Sequence, residues 1–291
     1  MLKLALLIAC AAAAASAQSG KVRVIAFGAH PDDCDSRAGG TAAKFAAMGH
    51  AVKFVSVTNG DAGHQSQGGG ALAKRRRAEA EEAGRRLGIT YEVLDNHDGE
   101  LMPSLEVRQQ IIRRIRQWRA DVVLAPRTND YHPDHRYTGV VVQDAAYMVV
   151  VPNVCPDTPA LRKNPVFLYF EDGFQKPAPF RPDVAIDIDD MWQKKMDAFD
   201  AHVSQMYEWL PWVAGNFDTV PKDRVARRTW LEQTRGGRAP GPAVRAALEK
   251  WYGAEHAGRV RHAEAFELCE YGSRPKEDDL RRLFPMMRQP E

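Results

Sequence analysis

Short apolar runs alternate with longer amphipathic stretches through the first two thirds of the chain, the pattern of βαβ units wound into a parallel sheet. Residues 22–27, 52–57, 91–94 and 121–126 are rich in aliphatic and β-branched side chains, and Gly, Asn, Asp or Pro follows each closely. Further strands are predicted at 166–170 and 184–188. Helices are predicted over 39–48 and 74–87, the latter stopped by Gly88. The clearest helix is 105–118, where Val107, Ile111, Ile112, Ile115 and Trp118 share one face. Arg108, Arg113, Arg114 and Arg116 fall largely off that face, and Ser104 is placed to cap it. Asp189-Asp190 opens a helix over 191–205, and another covers 242–252. The stretch 207–241, rich in Trp, Pro, Gly and Arg, reads as loop, and 261–271 is an apolar-containing segment. Gly68 to Gly70 reads as a mobile surface loop with the makings of a lid. The fold class is therefore α/β, a mostly parallel sheet flanked by helices, with a C-terminal helical and loop extension.

A chain of 291 residues is ordinary for one α/β domain with an elaborated tail. Hydrophobic residues at 44% allow a sizeable core, and a formal charge of +2 gives no basic field for a nucleic acid. The cluster Lys74-Arg75-Arg76-Arg77 stands beside Glu79, Glu81 and Glu82 and reads as a solvated helix face. The N-terminus departs from this balance. Lys3, an apolar stretch over 4–15, and Ala15-Ser16-Ala17 before Gln18 describe a secretory signal peptide over 1–17. The expectation is a single mature domain, 18–291, exported to a periplasm or secreted. The apolar stretch is too short for a transmembrane anchor; a variant is lipid attachment at Cys10, after Leu7-Ile8-Ala9. Cleavage leaves Cys34, Cys155 and Cys269, an odd number with no CxxC spacing, so neither a disulfide framework nor a cysteine zinc knuckle follows.

Two polar segments carry the chemistry. Ala29-His30-Pro31-Asp32-Asp33 follows the first predicted strand, and His132-Pro133-Asp134-His135 follows the fourth. Proline stops each from continuing as strand, and open α/β sheets gather such segments in a crevice at the carboxyl ends of their strands. A hydrolytic zinc site takes three ligands from His, Asp or Glu and leaves one position open. His30, Asp33 and His135 fit that inventory. Asp32 is then left to take a proton from the attacking water, and His132 either to stabilise an oxyanion or to protonate a leaving nitrogen. Asp134 is placed to orient a ligand histidine. Taken singly, each segment also reads as a proline turn capping a helix; their pairing after two strands of one sheet favours the metal. Asp35 reads as a helix-start acid, and Cys34, beside two carboxylates, as a packing residue. The turn after the first strand is not G-x-G-x-x-G, and P-loop, H-E-x-x-H and G-x-S-x-G patterns are absent.

The chain resembles the PIG-L/LmbE family of zinc-dependent de-N-acetylases. The likeness rests on the two histidine segments, Gly39-Gly40-Thr41, Thr58-Asn59-Gly60-Asp61, Asp98-Gly99 and Ala201-His202-Val203-Ser204-Gln205, with a weaker echo at Ala263-Glu264-Ala265-Phe266. It implies a Rossmann-like sheet, with His30, Asp33 and His135 as zinc ligands and Asp32 as general base. It implies His132 as the group that stabilises the tetrahedral intermediate, and Asp98 against substrate hydroxyls. Cys34 departs from the family, which often has Glu there; the proposed ligands and base are unaffected, and the departure touches the hydrogen bonding around them. The implied reaction is hydrolysis of an N-acetyl amide on an N-acetylglucosamine-type sugar or glycoconjugate. Two rivals stand beside it: a carbohydrate-binding protein without turnover, and a metal-dependent phosphoesterase, which would require a second metal. Trp209, Trp212 and Trp230 are candidates for sugar stacking or for core packing.

Overall fold

A computed structural model describes residues 20–237 and 239–287; the expected leader over 1–17, with Cys10, lies outside the described residues. Strand and helix alternate as β1 (Arg23–Gly28), α1 (Asp33–Ala47), β2 (Ala51–Thr58), α2 (Gly69–Leu87), β3 (Thr90–Asn96), α3 (Leu105–Trp118), β4 (Val122–Ala125), α4 (Pro133–Met148) and β5 (Val166–Phe170). There follow β6 (Val184–Asp187), α5 (Trp192–Ala201), α6 (Arg224–Arg235), α7 (Pro242–Tyr252) and β7 (Ala263–Gly272), with shorter helical turns between them. The sheet order is β3-β2-β1-β4-β5-β7-β6; the first five strands are mutually parallel, and β7 runs antiparallel to both neighbours.

Side chains of a strand alternate between faces, and here both faces are covered. Val24 and Ala26 join one core cluster with Phe45 and Phe54, whereas Ile25 and Phe27 join the other with Ile111, Ile112 and Ile115. That double burial is why the strands read as continuous apolar runs. The chain leaves β1 toward β2 on one side, and β4 joins β1 on the other. The crevice of such a sheet opens where the order reverses. Both histidine segments leave the sheet there, from adjacent strands.

Predicted and observed elements agree at 105–118 and 242–252, and Ser104 caps α3 by accepting from the Val107 amide at 3.2 Å. Gly88 ends α2 at φ 77°. Differences have local causes. Gly69 and Gly70, expected in a mobile loop, form the first turn of α2, where burial of Leu72, Ala73 and Arg76 extends the helix. The predicted loop 207–241 contains α6, capped by Asp223, which accepts from the Val225 and Ala226 amides. The C-terminal extension also supplies β7 to the sheet, between β5 and β6. Its glutamates obscure it: Glu264 is buried, and accepts from the Gly40 and Thr41 amides and from Lys195 Nζ at 2.7–2.9 Å. Among the described residues Cys34, Cys155 and Cys269 are buried free thiols.

Arg116, expected toward solvent, is 2% exposed. Its guanidinium donates to six carbonyl oxygens, those of Met148, Val149, Val151, Val154, Cys155 and Thr158, at 2.6–3.0 Å. Met148 ends α4 and the other five follow it, where helix-end carbonyls lack partners within the helix. Arg116 thus joins α3 to the end of the helix that carries His135. Arg116→Met should cost about 3 kcal/mol or more, because six carbonyls lose a charged donor together and, among the described residues, those of Val154 and Thr158 lose the donor they have. Urea unfolding with an unchanged m-value would show it; a loss under about 1 kcal/mol would contradict this account.

Candidate metal centre and cavity

Each histidine segment is fixed by its own backbone. After β1 the chain turns sharply, so that the Asp33 Oδ2 accepts from the His30 amide at 2.9 Å. A Cβ on Gly28 would lie 2.7 Å from the Asp33 Cβ, so the turn needs glycine there. The Ala29 carbonyl is held by the Thr58 amide and hydroxyl, both at 2.8 Å. After β4, His132 is the N-cap of α4 and its Nδ1 accepts from the Asp134 amide at 3.2 Å, with Pro133 in the first turn. Asp130 Oδ1 accepts from the His132 amide at 2.9 Å and faces His135 Nδ1 at 3.0 Å. Helix α4 then crosses so close to the end of β4 that a Cβ on Gly139 would meet the Arg127 carbonyl at 2.7 Å.

Three donor atoms from the two segments converge. His30 Nδ1 lies 3.2 Å from His135 Nε2 and 3.6 Å from Asp33 Oδ2, and the latter two are 3.4 Å apart. Zn–N and Zn–O bonds of about 2.0–2.1 Å in tetrahedral geometry require ligand separations of about 3.3 Å. The residues present therefore fit a tetrahedral metal with one open position. His30, His132 and His135 also form a metal-capable group.

The far nitrogens complete the arrangement. His30 Nε2 faces Asp98 Oδ1 at 3.0 Å and Asp134 Oδ2 at 3.3 Å, while His135 Nδ1 faces Asp130. Carboxylates there fix the tautomer that leaves the inner nitrogen as lone-pair donor. His30, Asp98 and Asp134 also form a second metal-capable group. Its oxygens are already engaged: Asp134 accepts from the Gly99 and Leu101 amides, and Asp98 faces the Arg76 guanidinium at 3.4 Å. A cation placed there would stand against that guanidinium, so the group reads as support for His30. Asp98 is buried, with Oδ1 3.0 Å from His30 Nε2, the nitrogen opposite the inner convergence.

Asp32 lies beside Asp33 with Oδ1 3.2 Å from Arg76 Nη2. Burial pushes its carboxyl upward, Arg76 opposes this and the Asp33 charge adds to it. Asp33 is held far below the usual carboxylate range by His135 and His30, against its burial. Burial and the neighbouring His30 and His135 hold His132 toward its neutral form. Since its Nδ1 accepts from the Asp134 amide, the neutral ring carries its proton on Nε2. Arg76, which also donates to the Gly60 carbonyl, was hidden in a basic cluster expected to be solvated. Asp130, five residues before His135, was likewise not anticipated. His202 is fully buried with Nε2 3.2 Å from Asp35 Oδ2, in contact but not aligned as a hydrogen bond. Tyr91 donates its hydroxyl to the same oxygen at 2.9 Å, so Asp35 joins α1 to β3.

A cavity of about 660 Å³ opens over the centre, within the usual range for small-molecule sites. Asp32, Asp33, Asp130, Tyr131 and His135 form one part of its wall, and Trp192, Phe199 and His262 another. Trp192 and His262 stack at 4.0 Å. The expected aromatics lie elsewhere: Trp209 stacks on half-exposed Trp212, and Trp230 packs near Tyr207 and Leu231.

Fold and centre together define an α/β protein with a metal-type site at the switch point of its sheet. The PIG-L model, GlcNAc-PI de-N-acetylase, matches residues 25–146. Diacetylchitobiose deacetylase of Thermococcus kodakarensis is 30% identical over 198 residues, 65% of this chain and 73% of that one. The 4-oxalmesaconate hydratase of Pseudomonas putida is 28% identical over 189 residues, 62% of this chain and 73% of that one. The structure of N,N'-diacetylchitobiose deacetylase from Pyrococcus horikoshii superposes with a TM-score of 0.63 at 26% identity, covering 84% of this chain and 83% of that one. The chain belongs to the PIG-L family of de-N-acetylases. Among the described residues no helix is long and apolar enough to cross a membrane.

Arg76 is the cation between Asp32 and Asp98, and its side chain is 3% exposed. Arg76→Met would strand two carboxylates, a change expected to cost about 3–5 kcal/mol in unfolding free energy near neutral pH. A cost under about 1 kcal/mol would mean that Arg76 does not hold the pair.

Proposed function

We propose that this protein hydrolyses the N-acetyl amide of an amino sugar or glycoconjugate with zinc as its metal. The observation that carries this reading is the convergence of His30 Nδ1, Asp33 Oδ2 and His135 Nε2 to 3.2–3.6 Å beside Asp32, in a cavity of sugar size. The named deacetylase relatives and the family model support the reaction class.

His30, Asp33 and His135 would hold the metal. When bound, zinc supplies Lewis acidity, polarising the amide carbonyl and easing loss of a proton from water. Asp32 accepts that proton as the water oxygen bonds to the acetyl carbon. It then returns the proton to the nitrogen as the C–N bond breaks, releasing acetate and a free amine. A raised carboxyl suits both directions of transfer, and the Arg76 charge opposes the rise that burial imposes on Asp32. His132 presents Nε2–H to the charge that develops on the carbonyl oxygen. Asp98, Asp134 and Asp130 position the ligand rings. Export of the domain 18–291 belongs to the same proposal; N-terminal sequencing of the mature protein should begin at Gln18.

Acetate release from N-acetylglucosamine and its oligomers, with metal counted by elemental analysis, tests this. Asp32→Asn should keep one metal per chain while kcat falls by roughly 10²- to 10⁴-fold. Asp33→Ala and His135→Ala should lose the metal itself. Because Asp32 must be unprotonated to act, kcat/KM should decline as pH falls through its raised pKa, above the ordinary value of about 4. Sugar binding without acetate would favour a non-catalytic protein. Two metals with phosphate-ester cleavage would favour a phosphoesterase, and hydration of 4-oxalmesaconate would favour the hydratase branch.

A further inference from the structure

Large apolar side chains left exposed on this protein, such as Met48, Tyr147 and Tyr271, mostly stand singly along the chain, as on any soluble protein. One segment differs. Every residue from 212 to 219 is exposed, and Trp212, Val213 and Phe217 are 51%, 60% and 42% open to solvent. The backbone that carries them is hydrogen-bonded throughout. The Ala214 amide donates to the Leu210 carbonyl at 3.0 Å, Gly215 to Trp212 at 3.0 Å, and Asn216 to Pro211 at 2.9 Å. Thr219 and Val220 close the next turn on Asn216 and Phe217 at 3.0 and 3.1 Å. Gly215 reverses the chain at φ 71°. Trp212 stacks on Trp209 with ring centroids 5.4 Å apart, and buried Pro211 anchors the base. The three apolar side chains are thus held outward by an ordered turn, against the hydrophobic effect.

Cations follow in the chain. Residues 220–235 carry Lys222, Arg224, Arg227, Arg228 and Arg235 against Asp223 and Glu232. Both acids are engaged: Asp223 caps α6 through the Val225 and Ala226 amides, and Glu232 meets Arg228 at 3.0 Å. Arg228 also meets Asp197 at 2.9 Å, whereas Lys222, Arg224 and Arg227 enter no salt bridge among the described residues. Asp218, on the turn itself, is the one further acid of the segment. Helix α6 buries only Leu231 and begins beside Val225, which is 72% exposed.

Shape and charge choose among occupants. A run exposed at every residue is a knob rather than a groove, and gives a protein partner or a second copy little concave surface to fill. A neutral glycan would stack on Trp212 and leave Val213, Phe217 and the cations unused. A bilayer surface uses all of them, because aromatic rings settle at the headgroup boundary and Lys and Arg stand among anionic headgroups.

We propose that the turn 212–217, with Lys222 and Arg224 beside it, docks this protein peripherally on an anionic lipid bilayer. This stands independently of the hydrolytic reading. The full chain is titrated with vesicles of phosphatidylcholine and of a phosphatidylcholine–phosphatidylglycerol mixture, both with brominated acyl chains, while tryptophan fluorescence and co-sedimentation are read. The expected leader over 1–17 carries no tryptophan, so quenching reports on the folded domain. Anionic vesicles should quench at about tenfold lower lipid than neutral ones, an advantage that shrinks with salt. Val213→Ser with Phe217→Ser leaves every tryptophan in place and should raise the lipid required by about tenfold or more. Lys222→Gln with Arg224→Gln should do the same on anionic vesicles alone. Trp212→Phe should still sediment with anionic vesicles but lose most of the quenching. The variants should keep the parent Tm. Absence of quenching, equal response to the two vesicles, or quenching that neither pair of substitutions changes overturns the proposal. Dimerisation lost in the serine pair, or Trp212-dependent retention on insoluble chitin, without quenching by vesicles, would overturn it in favour of a second copy or a sugar polymer.

Discussion

The imidazole of His30 is the constraint on which the centre depends. Its two nitrogens do opposite work: Nδ1 meets His135 and Asp33, and Nε2 is held by Asp98 and Asp134. A ring turned by even one rotamer would lose either the inner convergence or the outer carboxylates. Everything nearby restricts that turn. The Ala29 carbonyl is clamped by Thr58, Gly28 lets the chain fold back, and Asp134 is itself fixed by the Gly99 and Leu101 amides. The sheet contributes by placing β1 beside β4, which brings residues far apart in sequence to within hydrogen-bonding distance.

Such a concentration of acid inside a protein needs counter-charge. Asp32, Asp33, Asp98, Asp130 and Asp134 crowd one region, and Arg76 is the buried guanidinium that spans two of them. A metal at the inner face of His30 would complete the balance for Asp33. The same electrostatic reasoning separates the two metal-capable groups. One has its lone pairs turned to an open cavity, and the other has its oxygens occupied and a cation already beside it.

Much of this was legible in the chain. Strand ends, the Ser104 cap and the α3 apolar stripe follow from periodicity and turn chemistry, which are local. The pairing of the two histidine segments followed from topology, which a strand-helix alternation constrains strongly. What escaped was set by tertiary environment. Arg76 and Arg116 look like surface charges because nothing near them in sequence reveals a buried carboxylate or a cluster of helix-end carbonyls. Glu264 interrupts the apolar run of β7, which reads in sequence as no more than an apolar-containing segment, since its partners are amides from α1 and a lysine from α5. The cavity tryptophan is Trp192, which opens α5, whereas Trp209 and Trp212 stack on each other and Trp230 packs by Tyr207. Gly69 and Gly70 are helical because the residues after them are buried, against their own preference for irregular backbone.

The central claim is that one metal sits between His30 Nδ1, Asp33 Oδ2 and His135 Nε2. Anomalous diffraction at the zinc edge from crystals of the metal-loaded protein tests it most directly. The account predicts a single peak, about 2.0–2.2 Å from those three atoms, with the fourth position open to the cavity. A peak bound by His30 Nε2, Asp98 and Asp134, or two peaks sharing His30, would contradict it.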